Sequence, residues 1–310
     1  MSSFPSPGLN GIWPALLTPL DERLDIDGPR FASHARQLLD AGCAGVTPFG
    51  TTGEGPSFSV AERIAGVDAL LAGGVPASRV LVSTSCAALP DVVALTRHAV
   101  EAGAWGCLMM PPFFLKGVPE QGVVDAFSQV IDRVADARLR LVVYHLPQVG
   151  GVPLTQGVVR ALLARYPQTI VAIKDSGCKL EDSLAFAAAF MPPAGPLGVH
   201  VGNEPDLPTL ARLGSRGAVS GLANFMPRLV QRLVAEPDSA AAVRDLERVQ
   251  QLLAWLGGYA LGPALKAIMA LKSGEPGWLR VRAPLLAIGP GLLPEFERGW
   301  RAIGIDPDRD

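Results

Sequence analysis

Charge of either sign is in short supply: 27 Lys and Arg against 29 Asp and Glu leave a net charge of −2 over 310 residues. No Lys/Arg cluster, aromatic-and-basic groove or acidic tail occurs, so the electrostatic footprint of a nucleic-acid or anionic-membrane partner is absent. Small neutral or anionic metabolites remain as binding partners. Cysteine is sparse too. Cys43, Cys86, Cys107 and Cys178 are widely spaced without a C-x-x-C pair, and His34, His98, His145 and His200 are equally scattered. That spacing offers no metal-site pattern, and buried reduced thiols are expected. Long apolar runs are missing as well. Mean hydropathy is positive, yet the most apolar candidate, Leu252 to Leu265, is short, carries Gly257, Gly258, Gly262 and Pro263, and runs into Lys266. A packed helix or interface segment is expected there rather than a membrane span. The opening residues Met1-Ser2-Ser3-Phe4-Pro5-Ser6-Pro7 lack the basic-then-apolar pattern of a signal peptide, and a cytoplasmic protein is expected.

What is abundant is apolar surface, at 49% of residues, ample for a large core. Short, β-branched-rich runs alternate with helical patterns over the first three quarters of the chain. Strands are predicted at Ile12–Thr18, Gly45–Phe49, Val80–Ser85, Gly106–Met110, Leu139–Leu146, Ile170–Asp175, Val199–Gly202 and Ala218–Gly221. Strict alternation of continuous apolar strands with helices means parallel strands covered by helices. Eight such units favour an α/β fold of the closed (β/α)8 TIM-barrel kind over an open doubly wound sheet. The dinucleotide fingerprint of the open sheet is missing, because Thr18-Pro19-Leu20-Asp21 follows the first strand, and no P-loop occurs. After Pro227 the chain reads as helices only, so residues 1–226 are expected to form the barrel and residues 227–310 a C-terminal helical region.

One charged residue stands out against this apolar background. Lys174 lies near the end of the run Ile170-Val171-Ala172-Ile173, where core packing gives it no reason to be. Strand alternation puts Ala172, Lys174 and Ser176 on one face and Ile173 and Asp175 on the other. One unit upstream, Tyr144 holds the matching late position in Leu141-Val142-Val143-Tyr144-His145-Leu146-Pro147. An amine and a phenol therefore meet at one rim, the C-terminal end of the strands, where barrel enzymes keep their catalytic groups.

An ammonium in an apolar barrel loses solvation, which makes the free amine accessible near neutrality. Such an amine can attack a ketone, and the resulting iminium is an electron sink for making or breaking a neighbouring C–C bond. Tyr144 is suited to shuttling the protons. The turn Gly50-Thr51-Thr52-Gly53-Glu54-Gly55 offers backbone N–H groups and hydroxyls for a carboxylate. Together these parts suggest Schiff-base chemistry on pyruvate or another 2-oxo acid, with no metal or organic cofactor. Duller readings exist for each part: a core tyrosine, an ordinary turn, an internal ion pair of Lys174 with Glu204 or Glu54. Lys266, on the amphipathic stretch Ala264–Lys272, is a rival amine, but a helical lysine is expected to keep its tip in solvent.

The order Gly-Thr-Thr-Gly-Glu, Tyr-x-x-Pro, Ile-Lys-Asp and Gly-Asn-Glu, running from about Gly11 to Ile288, resembles the dihydrodipicolinate synthase and N-acetylneuraminate lyase family of pyruvate-dependent class I aldolases. The resemblance implies a (β/α)8 barrel with a C-terminal helical region, usually a homotetramer built as a dimer of dimers. It also implies that Lys174 forms the imine and that Tyr144 is the proton shuttle. Thr51 and Thr52 would bind the pyruvyl carboxylate, with Thr51 also in a hydroxyl relay, and Gly202 and Val219 match backbone positions lining the pocket. The chain departs from the family at three places. Phe113 and Phe114 stand where a second tyrosine commonly crosses the tight dimer interface. Val149 stands where dihydrodipicolinate synthases carry an arginine for the carboxylate of aspartate semialdehyde, and it cannot pair with one. His145 replaces a frequent asparagine and is expected on the outer face with a structural role. Phe114 and Val149 are therefore expected on an acceptor side with fewer charges. Cleavage or condensation, dehydration of a 2-keto-3-deoxy acid, and pyruvate binding without turnover all remain open.

Overall fold

The computed structural model describes residues 9–306, and its order of elements follows the alternation of apolar runs and capped helices. Seven regular strands are β1 (Gly11–Pro14), β2 (Leu81–Ser83), β3 (Gly106–Met109), β4 (Leu141–His145), β5 (Ile170–Asp175), β6 (Gly198–Val201) and β7 (Gly217–Ser220). All neighbours pair in parallel, in the order β1-β7-β6-β5-β4-β3-β2. The predicted strand at Gly45–Phe49 is not a regular one. Its residues make single parallel bridges instead, Thr47 to Ala15 and Val46 to Val80. Those bridges carry a ladder of backbone bonds: Thr47 N–H donates to Pro14 O at 2.8 Å, Leu16 N–H to Thr47 O at 2.9 Å, Val46 N–H to Arg79 O at 2.9 Å, and Leu81 N–H to Val46 O at 2.9 Å. The segment thus takes the eighth position and curls the sheet into a TIM-barrel-like ring. Pro48, which has no N–H to donate, and Phe49, held at φ +60°, end it early.

The helices are α1 (Gly28–Asp40), α2 (Val60–Ala72), α3 (Leu89–Glu101), α4 (Glu120–Val134), α5 (Pro147–Gly150), α6 (Gln156–Arg165), α7 (Leu180–Phe190), α8 (Leu207–Arg212), α9 (Pro227–Ala235), α10 (Ala240–Leu256), α11 (Leu261–Ser273) and α12 (Leu293–Ala302). Local sequence sets several starts. Asp27 accepts from Arg30 N–H at α1, Ser59 and Glu62 form a reciprocal capping box at α2, and Thr155 and Ser239 cap α6 and α10.

Alternation along the strands sorts side chains into two clusters. Trp13, Leu81, Leu108, Val142, Tyr144, Ala172 and Val219 fill the barrel, while Val143, Ile173 and Val199 join the larger core beneath the helices. Trp13 packs on Trp105 with centroids 5.4 Å apart, and it needs Gly45 opposite, since a Cβ there would lie 2.1 Å from its ring. The C-terminal helices share the outer core. Leu229, Leu233, Leu252, Leu265, Ile268 and Phe296 are buried in the same cluster as barrel residues. Helix α9 packs against β1 and β7, in the position of the helix that completes the last barrel unit.

Two expectations about single residues need correction. Cys43 and Cys107 are buried and their thiols are pushed up to about 12 by burial, but Cys178 is exposed and Cys86 only half-buried. They lie in the loops that follow β2 and β5 rather than in the core. Among the described residues no single helix is long and apolar enough to cross a membrane, and the apolar segment at 252–265 is split between α10 and α11, which bend by 117°.

Candidate active site

Register alone brings the two central side chains together. Tyr144 on β4 is the direct partner of Lys174 on β5, and Lys174 in turn faces His200 on β6. Lys174 is 5% exposed, and its Nζ lies over the Tyr144 ring at 4.2 Å from the centroid. A lysine so buried normally has a carboxylate partner. Among the described residues, none lies within 4.0 Å of this amine.

The two carboxylates that could have neutralised it are engaged elsewhere. Glu204 is buried, accepts from Ser220 Oγ at 2.6 Å and from Leu222 N–H at 3.2 Å. Burial pushes its carboxyl above the ordinary range, opposed by those donors and by the Lys174 charge. Glu54 forms an ion pair with Lys266, with both side chains essentially inaccessible. Lys266 also donates to Arg280 O at 2.8 Å. The expectation of a solvated tip is thus wrong: α11 turns Lys266 inward to the Gly50–Gly55 turn, and burial lowers its pKa while Glu54 raises it. A helical lysine facing a loop glutamate some 200 residues away leaves no local signal.

The remaining site residues take the following places. Gly202 follows β6 where the Lys174 stem passes: a Cβ on it would lie 2.2 Å from Ser176 Oγ, 3.1 Å from Lys174 Cε and 3.3 Å from Val219 O. Glycine there lets the amine, the Ser176 hydroxyl and the Val219 carbonyl converge. Thr52 reaches the same rim, since a Cβ on Gly221 would lie 3.4 Å from its Oγ1. Gly50, Thr51 and Tyr144 line a cavity of about 80 Å³ with Phe49, Pro56, Ser83, Ser85, Met110, Phe113, Val149 and Gly150. Tyr144 is common to this cavity and to the amine. No hydrogen bond joins Thr51 to Tyr144 among the described residues, and Thr51 is exposed. Phe113 lines the cavity, whereas Phe114, at φ +84° and 82% exposed, turns to solvent. Val149 lies at the mouth on α5, a single turn that the sequence did not reveal.

His145 faces outward, as alternation requires. Its Nδ1 accepts from Leu154 N–H at 3.1 Å and its ring meets Phe186 edge-on at 5.4 Å. Beside it, Asp175 accepts from Gly177 N–H at 2.8 Å and Ser183 Oγ at 2.5 Å, fixing the chain just after Lys174. A residue with no motif signal, Asn224, braces the rim from below. Its Oδ1 accepts from Leu17 N–H and contacts His34 Nε2, both at 3.0 Å, and its Nδ2 donates to Ala15 O and Gly221 O, both at 2.8 Å. Among the described residues no group of three or more His, Cys, Asp or Glu side chains is arranged to hold a metal ion.

The chain is 35% identical to an uncharacterized DapA-like lyase of Chloroflexus aurantiacus over 299 residues, covering 94% of this chain and 96% of the relative. It is 27% identical to a 4-hydroxy-tetrahydrodipicolinate synthase of Agrobacterium fabrum over 301 residues, covering 95% and 98%. Among solved structures, dihydrodipicolinate synthase from Agrobacterium tumefaciens superposes with a TM-score of 0.87 at 32% identity, covering 94% of this chain and 99% of that one. A sialic acid aldolase of Ruminococcus gnavus, solved as a catalytic lysine mutant, shares the fold with a TM-score of 0.85 at 20% identity, each chain covered to 98%. The Dihydrodipicolinate synthetase family profile matches residues 8–290, and the chain belongs to that family.

Proposed function

We propose that the chain is a class I aldolase or lyase that cleaves or condenses a 2-oxo acid, as pyruvate plus an aldehyde, through an imine on Lys174. The observation that carries this reading is a lysine 5% exposed at the strand ends, seated on a tyrosine ring and without an ion-pair partner among the described residues. Burying an unpaired charge is costly, and such groups concentrate at functional sites.

In the cleavage direction the Lys174 amine adds to C2 of a 4-hydroxy-2-oxo acid, and the carbinolamine loses water to leave an iminium. The C4 hydroxyl then loses its proton, the C3–C4 bond breaks, and its electron pair enters the iminium, giving an enamine and a free aldehyde. Protonation at C3 and addition of water release pyruvate and return the amine. Condensation is the same sequence reversed. Tyr144, beside the amine, moves the protons of the carbinolamine steps. Thr51, Thr52 and the backbone of Gly50 hold the carboxylate, and Gly202 and Val219 shape the space around the bound pyruvyl unit.

Relatives described as 4-hydroxy-tetrahydrodipicolinate synthases match nearly the whole chain, but Val149 at the cavity mouth offers no cation for a second carboxylate. Assembly as a homotetramer, or a homodimer, and a cytoplasmic location belong to the same proposal. The test is pyruvate release from a panel of 4-hydroxy-2-oxo acids. Turnover by the wild type and none by a folded Lys174→Met variant is expected, and turnover that survives the substitution overturns the reading.

A further inference from the structure

We infer that the group carried beyond the pyruvyl unit is apolar, an aryl or branched alkyl chain that enters or leaves as an uncharged aldehyde. This deepens the imine reading and rests on it. Tyr144, whose ring lies under the Lys174 amine, also lines a cavity whose other walls are Phe49, Pro56, Met110, Phe113, Val149 and Gly150, with hydroxyls from Thr51, Ser83 and Ser85. None of its lining residues carries a charge. Gly150 closes the far wall, where a Cβ would lie 3.6 Å from Met110 Cε and 3.8 Å from Phe113 Cβ.

The longer polar and charged side chains around this space are already held or turned outward. Gln148, next to Val149, turns away and donates from Nε2 to Ser176 O at 2.5 Å. Ser85 Oγ accepts from Met110 N–H at 3.0 Å. Arg63 is 1% exposed behind the wall, where its Nη1 and Nη2 donate to Ser85 O at 3.0 Å, Cys86 Sγ at 3.1 Å and Ser83 O at 2.5 Å. Its cation is held by the backbone and does not line the cavity. Lys116 lies near the mouth with its stem against Gly151, where a Cβ would lie 2.7 Å from Lys116 Cε, and it is exposed.

A carboxylate entering this space would lose its hydration without a counterion, and a polyhydroxylated chain would press several hydroxyls against Met110, Phe113 and Val149 without partners. An apolar group loses nothing on entry and gains burial. One hydroxyl, that formed from the aldehyde oxygen, can be met by the threonine and serine hydroxyls. Because Val149 is 58% exposed, the mouth stays open for a substituent longer than the cavity.

The experiment is condensation of pyruvate with benzaldehyde, isobutyraldehyde, glyceraldehyde and succinic semialdehyde, catalysed by the full chain, with borohydride trapping of the pyruvate imine run alongside. The expected kcat/KM for benzaldehyde or isobutyraldehyde exceeds that for either polar aldehyde by at least about tenfold, the discrimination that a few buried apolar contacts give. Val149→Arg is expected to shift the ratio toward succinic semialdehyde by a further factor of about ten, and Lys116→Met to leave the ranking unchanged. Imine trapping together with preference for glyceraldehyde or succinic semialdehyde overturns the inference. So does trapping with no turnover of either apolar aldehyde, or a ranking that Lys116→Met reverses. Absence of the imine itself would instead remove the reading of Lys174, and the inference with it.

Discussion

Replacing Lys266 by methionine leaves Glu54 as an unpaired carboxylate at a position where both partners' side chains are at most 1% exposed. It also removes the donor to Arg280 O. Solvent screening does not soften the loss at such burial, so the single variant is expected to lose about 3–5 kcal/mol, the range for breaking a buried pair from one side. Unfolding entropy near 2.1 cal/mol/K per residue gives a chain of 310 residues about 0.65 kcal/mol per degree, so Tm should fall by roughly 5–8 °C. The Gly50–Gly55 turn carries Thr51 and Thr52, so KM for the 2-oxo acid should rise as well. The double variant Glu54→Leu/Lys266→Met removes both charges and is expected to recover most of the lost stability without restoring KM. Differential scanning calorimetry of the four proteins in the cycle measures this. A single-variant loss below about 1 kcal/mol, or a double variant no more stable than the Lys266 single, would refute the reasoning.

Gly202→Ala places a methyl 2.2 Å from Ser176 Oγ and 3.1 Å from Lys174 Cε. The serine can rotate but the lysine stem cannot yield far, so a folded protein with imine formation slowed by at least about tenfold is expected, read by stopped-flow with pyruvate; an unchanged rate contradicts the assigned geometry. Asn224→Ala leaves buried partners in the segment after β1, the β7 loop and α1 without hydrogen bonds, and a loss of at least about 3 kcal/mol in urea unfolding is expected, whereas a loss under about 1 kcal/mol would show that the bracing is incidental. Burial lowers His34 and His200 from 6.5 to about 4. Between those values the unfolded chain binds protons that the folded chain refuses, so stability is full above pH 6.5 and declines toward pH 4. Each ring contributes up to roughly 3 kcal/mol, and His200→Leu should flatten the decline; a wild-type profile no steeper than the variant's counts against burial of the neutral ring.

The barrel and its central pair were legible because both depend on short-range rules. Period-2 alternation in Ile170–Asp175 and Leu141–His145 fixes which side chains face inward, and parallel pairing then sets Lys174 beside Tyr144. Gly45–Phe49 carries the same apolar signal as its neighbours, but it makes only isolated bridges, to Ala15 after β1 and to Val80 before β2, a property of ring closure and not of local propensity. The Lys266–Glu54 pair escaped because an amphipathic helix does not reveal which of its faces meets a distant loop. Glu54 and Glu204 both looked able to neutralise Lys174, and only the packing of α11 and the Ser220 hydroxyl decide otherwise. Asn224 had no signal at all, since three of its four contacts reach segments some 200 residues away. Likewise, that Phe113 and not Phe114 enters the cavity follows from the positive φ at Phe114, which pattern reading does not supply.

The most direct measurement is borohydride reduction of the full-length chain in the presence of pyruvate, followed by peptide mass mapping. One reduced pyruvyl adduct on the peptide containing Lys174 is expected, retained in Lys266→Met and absent from Lys174→Met. An adduct on Lys266, or an unmodified Lys174 in folded protein at saturating pyruvate, would contradict the assignment of the buried, unpaired amine as the nucleophile.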